Sequence, residues 1–127
     1  MIYGVGTDII EIARIEAALA RFGERFAQRI LCEPEMRRFR DHRQPVNYLA
    51  KRFAAKEAFT KALGTGIHAP ANWHGVWVAN LRSGKPVLEF SAALADLMRK
   101  RGVGGAHVSL SDQKNLACAT VILECAA

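Results

Sequence analysis

The chain is short of cysteine, aromatics and acids, and each scarcity narrows what it can be. Cys32, Cys118 and Cys125 are odd in number and share no CxxC spacing. That argues against a disulfide framework or a zinc site and fits a reducing cytoplasm. No apolar run approaches the roughly 18 residues of a membrane span. The opening Met1-Ile2-Tyr3-Gly4-Val5-Gly6 lacks the basic region of a signal peptide. A soluble, cytoplasmic protein without a membrane partner is therefore expected. Two phosphate signatures are also missing. There is no GxxxxGK[ST], and Gly4-Val5-Gly6 runs into Thr7 and Asp8 instead of completing GxGxxG.

What is present is basic charge. Eighteen Lys and Arg stand against 12 Asp and Glu in 127 residues, a net charge of +6 with a pI near 9.7. Such a balance calls for an anionic partner: nucleic acid, a phosphorylated small molecule or an acidic protein. Aromatic residues make up only 8% of the chain, with no stacking platform or recognised motif, which weighs against a nucleic-acid partner. Half the residues are hydrophobic, enough for one cored domain over 1–127.

Periodicity predicts an α+β fold with a mainly antiparallel sheet, an N-terminal helical block and a long central helix. Residues 2–10 read as a strand, followed by a helix from about Glu11 to Arg21 and further helix from Arg25 to Asp41, interrupted at Glu33-Pro34. Gln44-Pro45 closes that block. Later come a hairpin (His74–Leu81, then 87–90, around Arg82–Pro86), a helix capped by Ser91 and closed by Gly102, and strands at 107–112 and 117–124.

The central helix is Tyr48 to Leu63, ending at Gly64-Thr65-Gly66. Its charges are scattered, leaving no clean polar face. Glu57 is the only acid between Asp41 and Glu89, among Arg43, Lys51, Arg52, Lys56, Lys61, Arg82 and Lys85. One reading is a surface pair with Lys61, four positions on. The other is a metal ligand among bases that hold phosphates. Asp8, at the end of the first strand, is either a helix N-cap or a rigid metal ligand. Two isolated acids with many bases suit Mg²⁺, whose coordination is often completed by substrate phosphates. Amides of Gly64-Thr65-Gly66 could cradle an anion, but the helix dipole there opposes one. Arg14, Arg21 and Arg25 would share a stripe if the first helix continued past Gly23, either a solvated face or a docking rail. His107 opens a strand whose other polar positions are Ser109 and Ser111, and is either structural or functional. A nucleotide phosphohydrolase would use the same acids and bases.

Four pieces occur in order: Gly4-Val5-Gly6-Thr7-Asp8-Ile9; Arg52-Phe53-Ala54-Ala55-Lys56-Glu57-Ala58 with Lys61-Ala62-Leu63-Gly64-Thr65-Gly66; Ser83-Gly84-Lys85-Pro86; and His107-Val108-Ser109-Leu110-Ser111. Together they resemble the holo-[acyl-carrier-protein] synthases, the small bacterial type of 4′-phosphopantetheinyl transferase, over nearly the whole chain. The resemblance implies transfer of phosphopantetheine from coenzyme A to a serine of apo-acyl carrier protein, releasing adenosine 3′,5′-bisphosphate and supporting fatty acid biosynthesis. It implies Asp8 and Glu57 as Mg²⁺ ligands and Lys61 at the pyrophosphate. Larger relatives can place a further acid where this chain has Ile10. Arg52, Lys56, Gly64, Ser83, Lys85, Pro86 and His107 resemble positions lining the coenzyme A site. The base that takes the serine proton stays open among Glu57, a water on the metal and His107. Because acyl carrier proteins are acidic and helical, Arg14, Arg21 and Arg25 become the expected docking surface. Members of the small type form trimers with active sites between subunits.

Overall fold

Glycine in the first strand and alanine along the central helix decide how the two main layers meet. The computed structural model describes residues 1–127. In chain order the elements are β1 (Ile2–Glu11), α1 (Ile12–Phe22), α2 (Glu24–Ile30), α3 (Glu33–Asp41), α4 (Pro45–Leu63), β2 (Val76–Asn80), β3 (Pro86–Phe90), α5 (Ala92–Lys100), β4 (Val103–Gln113) and β5 (Leu116–Cys125). The strands form a three-stranded antiparallel sheet, ordered β1-β5-β4, and a separate β2-β3 hairpin. The expected α+β architecture is present.

Alternation in the sheet sorts its two faces. Gly6 and Ile10 of β1 are buried together with Ala117, Ala119, Val121 and Leu123 of β5, on the side that α4 covers. A Cβ on Gly4 would stand 2.0 Å from the Ala62 carbonyl oxygen, and one on Gly6 would stand 1.9 Å from that of Ala58. Helix and strand therefore approach at backbone distance. The opposite face carries three cross-strand rows: Val5–Ile122–His107, Thr7–Thr120–Ser109 and Ile9–Cys118–Ser111. Val5 is 57% and Ile9 64% exposed, so this partly apolar face lies open.

Several boundaries differ from the sequence expectation. The first strand runs on to Glu11, which N-caps α1, so Asp8 is a mid-strand residue and not a helix cap. Gly23, with φ of 68°, ends α1 by donating to the Leu19 carbonyl and turns the chain into α2. Arg25 consequently lies on a different helix from Arg14 and Arg21, and the three do not form one continuous stripe. The central helix starts at Pro45, whose fixed φ suits a first turn. The strand bearing His107 begins four residues earlier, at Val103, while His74 falls in the turn before β2.

Gly6→Ala should be among the most damaging single-methyl changes in this chain, because α4 can only clear the new Cβ by lifting off β1. We expect a loss of about 3 kcal/mol or more, measured as the shift of the urea unfolding midpoint. An unshifted midpoint would contradict the close approach.

Candidate active site

Asp8 shares the covered face of β1 with Gly4 and Gly6, two residues beyond the point where α4 comes closest. Lys61 lies on the same stretch of α4, between Ala58 and Ala62. The Lys61 ammonium donates to Asp8 Oδ1 at 3.1 Å and to the Thr7 carbonyl at 3.0 Å. Lys61 thus turns toward the strand, and the surface pair with Glu57 that the spacing permitted is not formed. Glu57 is partly buried in the same place, and its carboxyl is pushed up from the usual range, first by burial and then by the Asp8 charge, with Lys61 acting against both. The Asp8 and Glu57 carboxylates and the Thr7 carbonyl form a hard oxygen set, with one lysine seated on one of the acids. Such a set fits a Mg²⁺-like cation that keeps open positions for water or phosphate. No cluster of three or more His, Cys, Asp or Glu side chains exists that would saturate a metal by itself.

Lys56, the neighbour of Glu57, corrects an expectation. Its side chain is 1% exposed, and its ammonium donates at 2.7 Å to each of the Ile30 carbonyl, Glu35 Oε1 and the Trp73 carbonyl. All three protons are used inside the protein, so none is left for coenzyme A. Glu35 completes the knot. Its Oε1 also accepts from the Cys32 amide and its Oε2 from the Val78 amide. One buried ion pair therefore ties the end of α2, α3, α4, the Trp73 loop and β2 together.

Arg52 lies five positions before Glu57, roughly 140° around the helix, and looks away from Asp8. It stacks over the Tyr48 ring at 4.2 Å and donates to Asn80 Oδ1 at 3.1 Å. Burial lowers its pKa from the usual guanidinium value. A cavity of about 520 Å³ opens here, lined by Arg37, Arg38, Asp41, His42, Tyr48, Lys51, Arg52 and Asn80. The Tyr48 hydroxyl and Arg52 Nε are buried without a hydrogen-bond partner, an arrangement that an oxyanion would satisfy. Asn80 also accepts from Arg38 and donates to the Gly84 carbonyl at 3.0 Å. It thereby joins the cavity to the turn holding Ser83, Lys85 and Pro86. Gly64 takes its left-handed φ of 88° as the exposed C-cap of α4, one turn after Lys61.

His107 is on the other face of the sheet, in the row with Ile122 and Val5, with Nε2 hydrogen-bonded to Glu124 Oε1. Within one chain the expected site residues thus fall into three groups: the acids with Lys61, the arginine cavity with its turn, and His107. Arg21 and Arg25 meet in a groove with Phe22, Phe26 and Arg29, while Arg14 is exposed on α1 outside that lining. Sequence reading missed Glu35, Arg37, Arg38, Tyr48 and Asn80. Glu35 stands three residues after Cys32, the spacing at which a side chain reaches back to a helix N-cap. The others carry no local pattern.

This acid pair and its lysine come together where α4 meets β1, on an α+β frame. Residues 4–121 match the 4′-phosphopantetheinyl transferase superfamily, and the chain belongs to that family. It is 54% identical over 123 residues to the holo-[acyl-carrier-protein] synthase of Vibrio parahaemolyticus, covering 97% of this chain and 98% of that one. Its fold is similar to the crystal structure of the Neisseria meningitidis synthase, with a TM-score of 0.95 at 42% identity, covering 98% of this chain and 99% of the other. It also matches the Bacillus anthracis synthase solved in complex with CoA (3′,5′-ADP), with a TM-score of 0.83 at 38% identity and 99% coverage of both chains.

The raised Glu57 pKa has a sign for stability. The charged carboxylate is disfavoured in the folded state, so it costs stability above its folded pKa, and that cost fades as acid protonates it in both states. In metal-free buffer Glu57→Gln should therefore melt at a higher temperature than the parent at pH 7.5, with the gap narrowing toward pH 4. A lower melting temperature at pH 7.5 would contradict the strained carboxylate.

Proposed function

We propose that this protein transfers the 4′-phosphopantetheine arm of coenzyme A to a serine hydroxyl of apo-acyl carrier protein, giving holo-acyl carrier protein and adenosine 3′,5′-bisphosphate in support of fatty acid synthesis. The observation that carries this reading is the Asp8–Glu57–Lys61 cluster, seated where α4 meets β1 in a chain of this family. Asp8 and Glu57 would hold Mg²⁺, which when bound supplies positive charge to the pyrophosphate oxygens. The serine hydroxyl gives its proton to a base, with Glu57, His107 and water the candidates, and its oxygen attacks the phosphorus that bears the pantetheine arm. A new P–O bond forms, and the bridging P–O bond breaks with its electron pair leaving on the adenosine bisphosphate. Lys61 neutralises charge on the phosphates as the leaving group departs. The arginine cavity and the Ser83–Pro86 turn suit the adenosine phosphates. The basic, partly aromatic groove of Arg21, Phe22, Arg25, Phe26 and Arg29 suits an acidic helix, with Arg14 at its outer margin.

The protein works as a homotrimer with its sites between subunits. Support comes from the open sheet face of Val5, Ile9 and Ile122 and from His107, which stands on the side of the sheet opposite Asp8 and reaches a shared ligand only through a second copy. Three free cysteines and the lack of any helix long and apolar enough to cross a membrane accord with a cytoplasmic location.

Purified protein with Mg²⁺ and coenzyme A should add the mass of phosphopantetheine to an apo carrier, and no gain across several carriers would refute the activity. Asp8→Ala should lower kcat by at least about a hundredfold, as loss of a metal ligand does. Arg21→Glu should raise the KM for the carrier well above any change for coenzyme A; equal changes would remove the docking role. If sites form between copies, co-expressing Asp8→Ala with His107→Ala should restore activity that neither has alone, up to about a quarter of the parental value for random trimers. Recovery no better than the separate variants would place each site within one chain.

A further inference from the structure

We propose that Lys61 is an exchangeable cation. In the free protein its ammonium holds the place of the metal on Asp8, and metal binding releases it to the anionic ligand. Binding of the metal and of coenzyme A is then coupled through this one side chain. The inference rests on the metal reading above.

The geometry points to exchange in three ways. First, the Lys61 ammonium contacts a carboxylate oxygen of Asp8 and the backbone carbonyl of Thr7, oxygen types that a hard cation also takes. A divalent cation drawn to these oxygens repels the ammonium already there, so the two compete for the site. Second, only two of its three protons are engaged and the side chain is 52% exposed, so it can swing out on its flexible stem. Lys56, five positions earlier, is the internal contrast: its three protons are all held in the interior and it has nowhere to go. Third, Lys61 bypasses Glu57 for Asp8, so two carboxylates share one ammonium and Glu57 has no ion-pair partner. The free site is thus only half neutralised. A dication completes that neutralisation and frees the lysine for a phosphate.

Thermodynamic reciprocity then sets the behaviour. Without an anion, Lys61 competes with the metal and weakens its binding. With coenzyme A present, the released ammonium has a new partner and metal binding tightens.

The test is Mn²⁺ affinity of the full-length protein, read from the paramagnetic resonance of free Mn²⁺, with and without coenzyme A. Lys61→Met should bind Mn²⁺ about two- to fivefold more tightly than the parent in the absence of coenzyme A, the scale of a half-exposed ion pair. It should also show less tightening when coenzyme A is added. In parent protein carrying ¹³Cε-lysine, the Lys61 resonance should shift on addition of Mg²⁺ alone. Unchanged or weaker Mn²⁺ binding by Lys61→Met, while Asp8→Ala still abolishes it, would overturn the exchange and leave the metal site standing. Tighter binding with no movement of the Lys61 signal would reduce the effect to distant charge and overturn it equally. No binding by either protein, or binding that survives Asp8→Ala, would overturn the metal site and the exchange together.

Discussion

The contact between Gly4 and Gly6 of β1 and the Ala62 and Ala58 carbonyls of α4 is the constraint on which the site depends. Ordinary side chains on the strand would hold a helix about 10 Å from the sheet. Here the missing Cβ atoms let the two backbones touch, with alanines along the helix keeping that side thin. Asp8, on the same side of the same strand, is thereby brought within ion-pair reach of Lys61 and into the field of Glu57. Packing and chemistry thus share one line of residues along β1.

A close contact on one side of a helix needs a fastening on the other, or the helix could roll. Lys56 and Glu35 supply it. A buried ion pair is costly unless every donor and acceptor is used, and here the ammonium has three acceptors and the carboxylate three donors. Adjacent residues of α4 therefore do opposite work. Lys56 fixes the rotation of the helix toward α3 and β2, while Glu57, about 100° further round, is held half-buried near Asp8. Arg52 belongs to the first side, where its Nε and the Tyr48 hydroxyl are buried without a hydrogen-bond partner beside a cavity.

The three groups of polar residues look in different directions from the core. The sheet face that carries His107 also leaves Val5 and Ile9 exposed. The scattered charge of α4, which in isolation resembles poor amphipathic design, is what a helix needs when a sheet packs on one side of it and a helical block on another.

Much of this was legible in residue order. The fold class, the hairpin, the Ser91 cap and the glycine stop of α4 follow from local propensity and turn chemistry, which act over a few residues. Asp8, Glu57 and Lys61 were legible because isolated acids in a basic chain are conspicuous and because four motifs fell in a family's order. The fates of the lysines were not. Lys51, Lys56 and Lys61 sit on one helix with the same side chain, yet one pairs with Asp112, one is buried on Glu35 and one rests on Asp8. Their partners lie 21 to 61 residues away in the chain, so no local spacing encodes them. The sequence by itself determined which residues could carry charge to the site. Only the tertiary structure decided which of them do, because burial and partner are set by the way α4 is pressed onto β1 and by what closes over its far side.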